Sequence, residues 1–171
     1  MHTEFIIREA LARDLDAMVD LLKQLFAIED EFAIDEQKQR HGCAALMADH
    51  GRSVFLVAEA NRSVVGMCSV QITISTAEGG MSALVEDMIV DASWRGKGIG
   101  SSLLEAAGKW AGDRHCLRMQ LLADNRNSPA INFYRSAGWH QTGMVGFNRK
   151  IYAEHLSEPA LSRHVSMSTR R

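Results

Sequence analysis

The chain is short of prolines: only Pro129 and Pro159 occur among its 171 residues. No Pro- or Ser-rich linker and no internal repeat interrupts it, so the body, roughly residues 3 to 152, reads as one continuous unit. A single domain is expected over 1–156, followed by a polar C-terminal tail over 157–171 with no clear apolar period. Cysteine is scarce too. Cys43, Cys68 and Cys116 lie far apart and form no CxxC pair. An odd, scattered set excludes a disulfide frame or a zinc site and suggests buried thiols of a reducing cytosol. The seven histidines show no HxxxH spacing, so no metal is expected. Long hydrophobic runs are absent: the longest, Cys43 to Ala48, is six residues, against the ~20 that a membrane-spanning helix needs. Glu4, Arg8 and Glu9 leave no room for the apolar core of a signal peptide, and a cytoplasmic location is expected. Nor is there a basic excess. Nineteen Lys and Arg against 21 Asp and Glu give a net charge of −2, unlike a general nucleic-acid binder. With 46% hydrophobic and 23% charged residues, the composition is that of a globular protein, not a disordered one.

What is present is a mixed α/β pattern. A short β-prone run, Phe5 to Ile7, precedes Leu15, Met18, Leu22, Leu25 and Phe26, whose spacing of three or four predicts an amphipathic helix. Asp35 is placed to cap a second helix running to about Ala48. Ser53–Ala60 and Ser63–Ser75 are β-rich and flank Asn61-Arg62, which predicts a hairpin. A loop through Gly79 and Gly80 leads to a strand over 83–91, a glycine turn, and a helix over 99–111. A strand over 116–123 follows. Ser128 is placed to cap the next helix, with Pro129 at its first position and Gly138 as its stop. Trp139–Tyr152 is expected to supply the last strand or pair of strands.

The most informative stretch is Arg95-Gly96-Lys97-Gly98-Ile99-Gly100-Ser101, between a strand and a helix. Alternate glycines let the backbone curl tightly and approach a ligand. The N–H groups that open the following helix then form an anion site suited to phosphate or pyrophosphate. A Walker A loop fails, because Lys97 is followed by Gly98 and no glycine stands five residues before Gly96. The dinucleotide pattern GxGxxG fails at Leu103 from one start and at Ser101 from the other.

A third pattern, Arg/Gln-x-x-Gly-x-Gly/Ala, is met by Arg95, Gly98 and Gly100. It resembles the coenzyme A pyrophosphate loop of the GNAT superfamily of N-acetyltransferases. The preceding Leu84 to Asp91 looks like that family's bulged fourth strand, and Asn127 to Trp139 resembles its NxxAxxFYxxxGF/W segment. The resemblance covers about residues 4 to 151. It implies an α/β (α+β) GNAT fold: a mixed, mostly antiparallel sheet of six to seven strands, about four flanking helices and a splayed central strand pair. It implies acetyl-CoA as cosubstrate, with no metal. The backbone groups of Met88, Ile89 and Val90 would then hold the pantetheine arm. Arg95, Gly96, Lys97, Gly98, Ile99, Gly100 and Ser101 would hold the pyrophosphate, and Asn127 would touch the coenzyme or a bound water. Helix capping is the alternative for Asn127.

Acetyl transfer to an amine needs a neutral nucleophile, donors for the oxyanion, and a stabilised leaving thiolate. By resemblance Tyr134 lies near the sulfur. A phenol of pKa ~10 is a suitable acid for a thiolate of pKa ~8.5. Strand alternation turns Glu86 and Asp87 to opposite faces unless a bulge intervenes. Glu86 is the candidate base through water, with attraction of a cationic substrate or a structural ion pair as alternatives. The N–H of Met88 or Ile89 is a candidate oxyanion donor. The acids Glu29 and Asp30 follow the first helix, where the family builds part of its acceptor wall, and with Asp87 they are candidate substrate contacts. Glu86-Asp87-x-x-Val90, residues 95–101 and Asn132 to Arg135 look like the diamine (spermidine/spermine-type) acetyltransferases. The chain departs from them over 61–82 and after Gly138. A small amine acceptor is therefore expected, polyamine-like amines among the options, with a peptide or protein N-acetyltransferase or a non-catalytic acyl-CoA sensor as alternatives. No nucleic-acid or membrane partner is expected, and the family suggests a homodimer.

Overall fold

A computed structural model describes residues 4–29 and 32–150. Five strands run in spatial order β1 (Ile6–Glu9), β2 (Ser53–Ala60), β3 (Ser63–Ser75), β4 (Gly80–Val90) and β5 (Arg118–Leu121). The first four are antiparallel neighbours, and β5 is parallel to β4. The helices are α1 (Leu15–Phe26), α2 (Glu36–Ala48), α3 (Ile99–Asp113) and α4 (Ser128–Ser136). This is the mixed α+β class that the sequence implied.

Side-chain period explains the layering. In α1, Met18, Leu21, Leu22 and Leu25 are buried and pack on Phe55, Val57, Met67 and Ile89 of the sheet. Ile99, Leu103, Ala107 and Trp110 of α3 cover the other face with Leu56, Cys68, Val70 and Val85. Asp35 caps α2 as expected, its Oδ1 accepting from Lys38 N at 3.2 Å. Gln39 Oε1 reaches back to Asp35 N at 2.8 Å, completing a reciprocal cap. Asn61 and Arg62 take φ of 51° and 64°, the twist a two-residue hairpin requires. Buried Asp14 ties β1 to the turn before α1. Its carboxylate accepts from Arg8 Nη1 at 2.6 Å and from Leu11 N at 2.7 Å. The Arg8 guanidinium holds the Asp14 carboxyl below its usual range, against the opposing effect of burial.

Three expectations need correction. The described residues give five strands, not six or seven. Trp139 to Lys150 contains no strand; Gly143 and Gly146 lower the strand propensity of this stretch, since each lacks a side chain to pack and costs backbone entropy. Ile151, Tyr152 and the expected tail lie outside the described residues. The cap of α4 is Asn127, one residue before the expected Ser128. Asn127 Oδ1 accepts from Ala130 N at 3.1 Å, and Pro129 sits within the first turn. Of the thiols expected to be buried, Cys43 and Cys68 are, while Cys116 at a strand approach is half-exposed. The described chain divides after Gln141; Thr142 to Lys150, taken alone, has no helix or strand. No helix among the described residues is long and apolar enough to cross a membrane.

Candidate active site

β4 delivers the chain to the glycine turn through a 3₁₀ turn, Ala92–Trp94, which Asp91 caps through Ser93 N at 2.9 Å. Gly96 and Gly98 have φ of +74° and +83°, a region costly for residues with a Cβ. Gly98 is the N-cap of α3 and supplies no side-chain acceptor. The first-turn N–H groups at Ile99, Gly100 and Ser101 are therefore offered to an outside partner. A Cβ at Gly96 or Gly98 would meet nothing within 4 Å, so the space before the turn is open. Gly100 serves another purpose: a Cβ there would stand 3.0 Å from Phe133 Cζ and 3.4 Å from Met88 Cε. Glycine lets α4 and β4 press onto the first turn of α3. Arg95 Nε donates to Val90 O at 2.9 Å, and Lys97 Nζ lies 4.4 Å from the centre of the Trp94 ring. An open helix N-terminus with two nearby cations fits a diphosphate.

Beside the turn the sheet is split. Pairing of β4 with β5 is confined to Ser82–Val85 against Arg118–Leu121. β4 runs on to Val90 without a strand partner on that edge among the described residues. Met88, Ile89 and Val90 therefore lie along an opening between diverging strands, as expected of the splayed pair.

The bulge is real and changes the carboxylate geometry. Met67 pairs with Ile89 and Ser69 with Glu86, so β4 carries one residue more than β3 between these points. Asp87 takes φ of +52° there. As a result Glu86 and Asp87 share a face instead of alternating, the exception that a bulge was expected to make. Gln71 Nε2 donates to Glu86 Oε2 at 2.8 Å, and Ser69 Oγ donates to Asp87 Oδ2 at 3.0 Å. Ser69 and Gln71 are two apart on β3 and on the α1/α2 side. Glu86 is exposed by surface area yet closely surrounded. Desolvation, then the neighbouring Asp87 charge, raises its pKa, and the Gln71 bond partly offsets them. Burial raises the pKa of Asp87 as well, against the Ser69 bond. The Asp87 charge also reaches the thiols of Cys43 and Cys68, which burial pushes up to about 11 and about 12.

Tyr134 of α4 packs on the opposite face of the sheet, 5.2 Å from the Phe133 ring and 6.1 Å from Trp139 between centroids. Burial first, then the charge of Glu29, then Cys68, pushes its phenol up to about 12. Glu29, at the end of α1, thus stands within electrostatic reach of Tyr134. Asp30 lies outside the described residues. A cavity of about 700 Å³ between α2 and the sheet is lined by Asp87 and Gln71 among others. Four contributors were missed in the sequence: Ser69, Gln71, Trp94 and Phe133. For the first two a signal existed, two polar residues at strand spacing inside the apolar run of β3.

Comparison with known proteins agrees with this geometry. The family model described as "Acetyltransferase (GNAT) domain" matches residues 51–141, more than half of the chain. Streptothricin acetyltransferase of Escherichia coli is 35% identical over 79 residues, 46% of this chain and 45% of that protein. The chain thus matches about half the length of that relative. Thialysine N-epsilon-acetyltransferase of Bos taurus is 30% identical over 148 residues, covering 78% of this chain and 82% of the relative. A predicted acetyltransferase with acetyl-CoA from Clostridium acetobutylicum superposes with a TM-score of 0.70 at 18% identity, over 85% of this chain and 96% of that one. The split sheet, the glycine turn and these matches lead to one conclusion: the chain belongs to the GNAT acetyltransferase family.

Proposed function

We propose that the protein moves an acetyl group from acetyl-CoA to a primary amine by direct attack in a ternary complex. The observation that carries this reading is the opening beside β4. It has an anion-receiving helix terminus at one end, a half-buried phenol on one face and two neighbouring carboxylates on the other. In this account Arg95, Lys97 and the N–H groups of residues 99–101 take the pyrophosphate. The free edge of Met88, Ile89 and Val90 takes the amide-bearing arm, and Asn127 lies beside it. The thioester then sits between Tyr134 and Glu86.

The ammonium form of the acceptor gives a proton to Glu86 through water. Its nitrogen then attacks the thioester carbonyl, and the C–N bond forms. The N–H of Met88 or Ile89 stabilises the oxyanion. The C–S bond breaks, Tyr134 donates its proton to the departing sulfur, and the surplus proton on the new amide nitrogen passes through water to the Tyr134 phenolate, which restores the phenol. A phenol at about 12 looks a poor acid for a thiol of ordinary pKa ~8.5. The same surroundings, however, push the Cys68 thiol up to about 12. Burial disfavours the charged form of a thiolate as it does that of the phenolate, so a sulfur leaving beside Tyr134 is made a better proton acceptor.

Glu86 and Asp87 share the face on which this account seats the amine, and the Glu29 charge reaches Tyr134; this negative charge supports a small cationic acceptor. Two relatives are named streptothricin acetyltransferase and thialysine N-epsilon-acetyltransferase, and the second name gives a nitrogen as the acetylated atom. The motif likeness to diamine acetyltransferases supports the same class. The test is acetyl-CoA-dependent thiol release against diamines, spermidine, lysine analogues, aminoglycosides and short peptides. The account expects turnover with small cationic amines. Clear acetyl-CoA binding with no turnover on any amine would instead support a sensor.

A further inference from the structure

The cavity under α2 has two electrically different ends. Asp87 and Gln71 line it, and Gln71 donates to Glu86, so one end is anionic and adjoins the reacting position. Two cations also line it, Lys38 and Arg52. Lys38 is engaged by Asp35 at 3.1 Å. Arg52 is not: its Nη2 meets only the Ile72 carbonyl, at 3.5 Å, and no ion pair joins it to a carboxylate among the described residues. Asp49, on the same rim, makes no ion pair with it. The lining also includes the apolar residues Leu22, Phe26, Leu46 and Phe55 beside the polar Gln39 and Ser53. Gly42 of α2 also faces it, and a Cβ there would find open space within 4 Å.

Register sets the span. Ser53, next to Arg52, pairs with Gln71, and Gln71 pairs with Leu84, two residues before Glu86. Two strand spacings of ~4.8 Å and two residues of ~3.3 Å rise put the two ends on the order of 10 Å apart at the backbone. An ammonium at one end and a carboxylate at the other, joined by about five methylenes, spans that distance once the protein side chains reach inward. Guanidinium favours a carboxylate because its planar fork binds both oxygens.

We propose that the acceptor is an ω-amino acid: its amine stands at Glu86 and Asp87, its chain lies along the apolar lining residues, and Arg52 binds its carboxylate. This rests on the acetyl-transfer reading and narrows it to a bipolar substrate, with Arg52 as the specificity residue.

The test compares 6-aminohexanoate, hexylamine and 1,6-diaminohexane with the native protein, Arg52→Gln and Arg52→Lys, using thiol release for turnover and calorimetry with CoA present for binding. The native protein should prefer 6-aminohexanoate to hexylamine by roughly tenfold or more in kcat/KM, the scale of one charged hydrogen-bond pair. Arg52→Gln should abolish that preference through KM, with kcat and the hexylamine rate within about twofold of native. Arg52→Lys should keep part of the preference. Equal turnover of all three amines, or preference unchanged in Arg52→Gln, overturns the bipolar pocket and leaves acetyl transfer intact. Arg52-dependent binding of 6-aminohexanoate without turnover upholds the pocket and sinks acetyl transfer. Neither binding nor turnover overturns both.

Discussion

Gly98→Ala separates folding from coenzyme binding at the glycine turn. Gly98 sits at φ +83°, and an L side chain there costs about 1–2 kcal/mol. The new methyl adds no clash, because nothing lies within 4 Å of its position. The ligand-free variant should therefore lose only that backbone cost. At ~2–4 °C per kcal/mol for a chain of this size, its melting temperature should fall by a few degrees. Acetyl-CoA at ~100 times its Kd stabilises the native protein by about 2.7 kcal/mol, a rise of roughly 5–11 °C. In the variant the methyl stands in the open space where the proposed reading seats the pyrophosphate, before N–H groups with no side-chain acceptor of their own. Most of the ligand-dependent rise should vanish. Differential scanning fluorimetry with and without acetyl-CoA reads both effects in one experiment. A variant that melts a few degrees lower but gains as much from acetyl-CoA as the native protein would refute the assignment of this turn.

Four other outcomes follow from the same geometry. Tyr134→Phe should lower kcat by ~100-fold or more, the usual scale for a positioned acid, with little change in acetyl-CoA affinity by calorimetry; an unchanged kcat removes the phenol from the reaction. Asp87→Asn removes a charge that raises the Glu86 pKa, so the rise of kcat/KM with pH should move to lower pH; a limb that stays in place rules out coupling of the two carboxylates. The folded pKa of Asp87 lies above its unfolded value, so its contribution to stability is complete below pH ~4 and is lost as pH rises through the folded pKa. Asp87→Asn should therefore melt higher than native at pH 7 and equal to it near pH 4. Asp14 has the opposite sign: its folded pKa is lowered by Arg8, and the stability it adds is present above the unfolded pKa and lost as pH falls through the folded one. Asp14→Ala should cost about 2–4 kcal/mol by urea unfolding, since Glu59 at 2.6 Å still pairs with Arg8; a loss under ~1 kcal/mol would mean the buried pair contributes little.

Much of this architecture was legible because single elements obey simple periods. The spacing of Leu15, Met18, Leu22 and Leu25 placed α1, and Asn61-Arg62 between two apolar runs placed the hairpin. The glycine turn at 95–101 showed in local pattern, whereas Tyr134 was singled out only by the resemblance to the family's NxxAxxFYxxxGF/W segment. The shared face of Glu86 and Asp87 did not show in local pattern. One extra residue in β4 moves Asp87 to the face of Glu86, and alternation carries no trace of a bulge. Asn127 and Ser128 are both good caps, so only the hydrogen bond from Ala130 N decides between them. Arg52, Gln71 and Gly42 are isolated residues on three elements, and only the fold brings them around one cavity.

The central claim is direct transfer between two bound substrates across the split in the sheet. Mass spectrometry of a single turnover, with acetyl-CoA, a cationic primary amine and excess protein, tests it most directly. The account predicts acetylated amine and free CoA in equal amounts, with no acetyl group left on the protein at any time. An acetyl-protein species that forms and decays at the rate of product formation would contradict it.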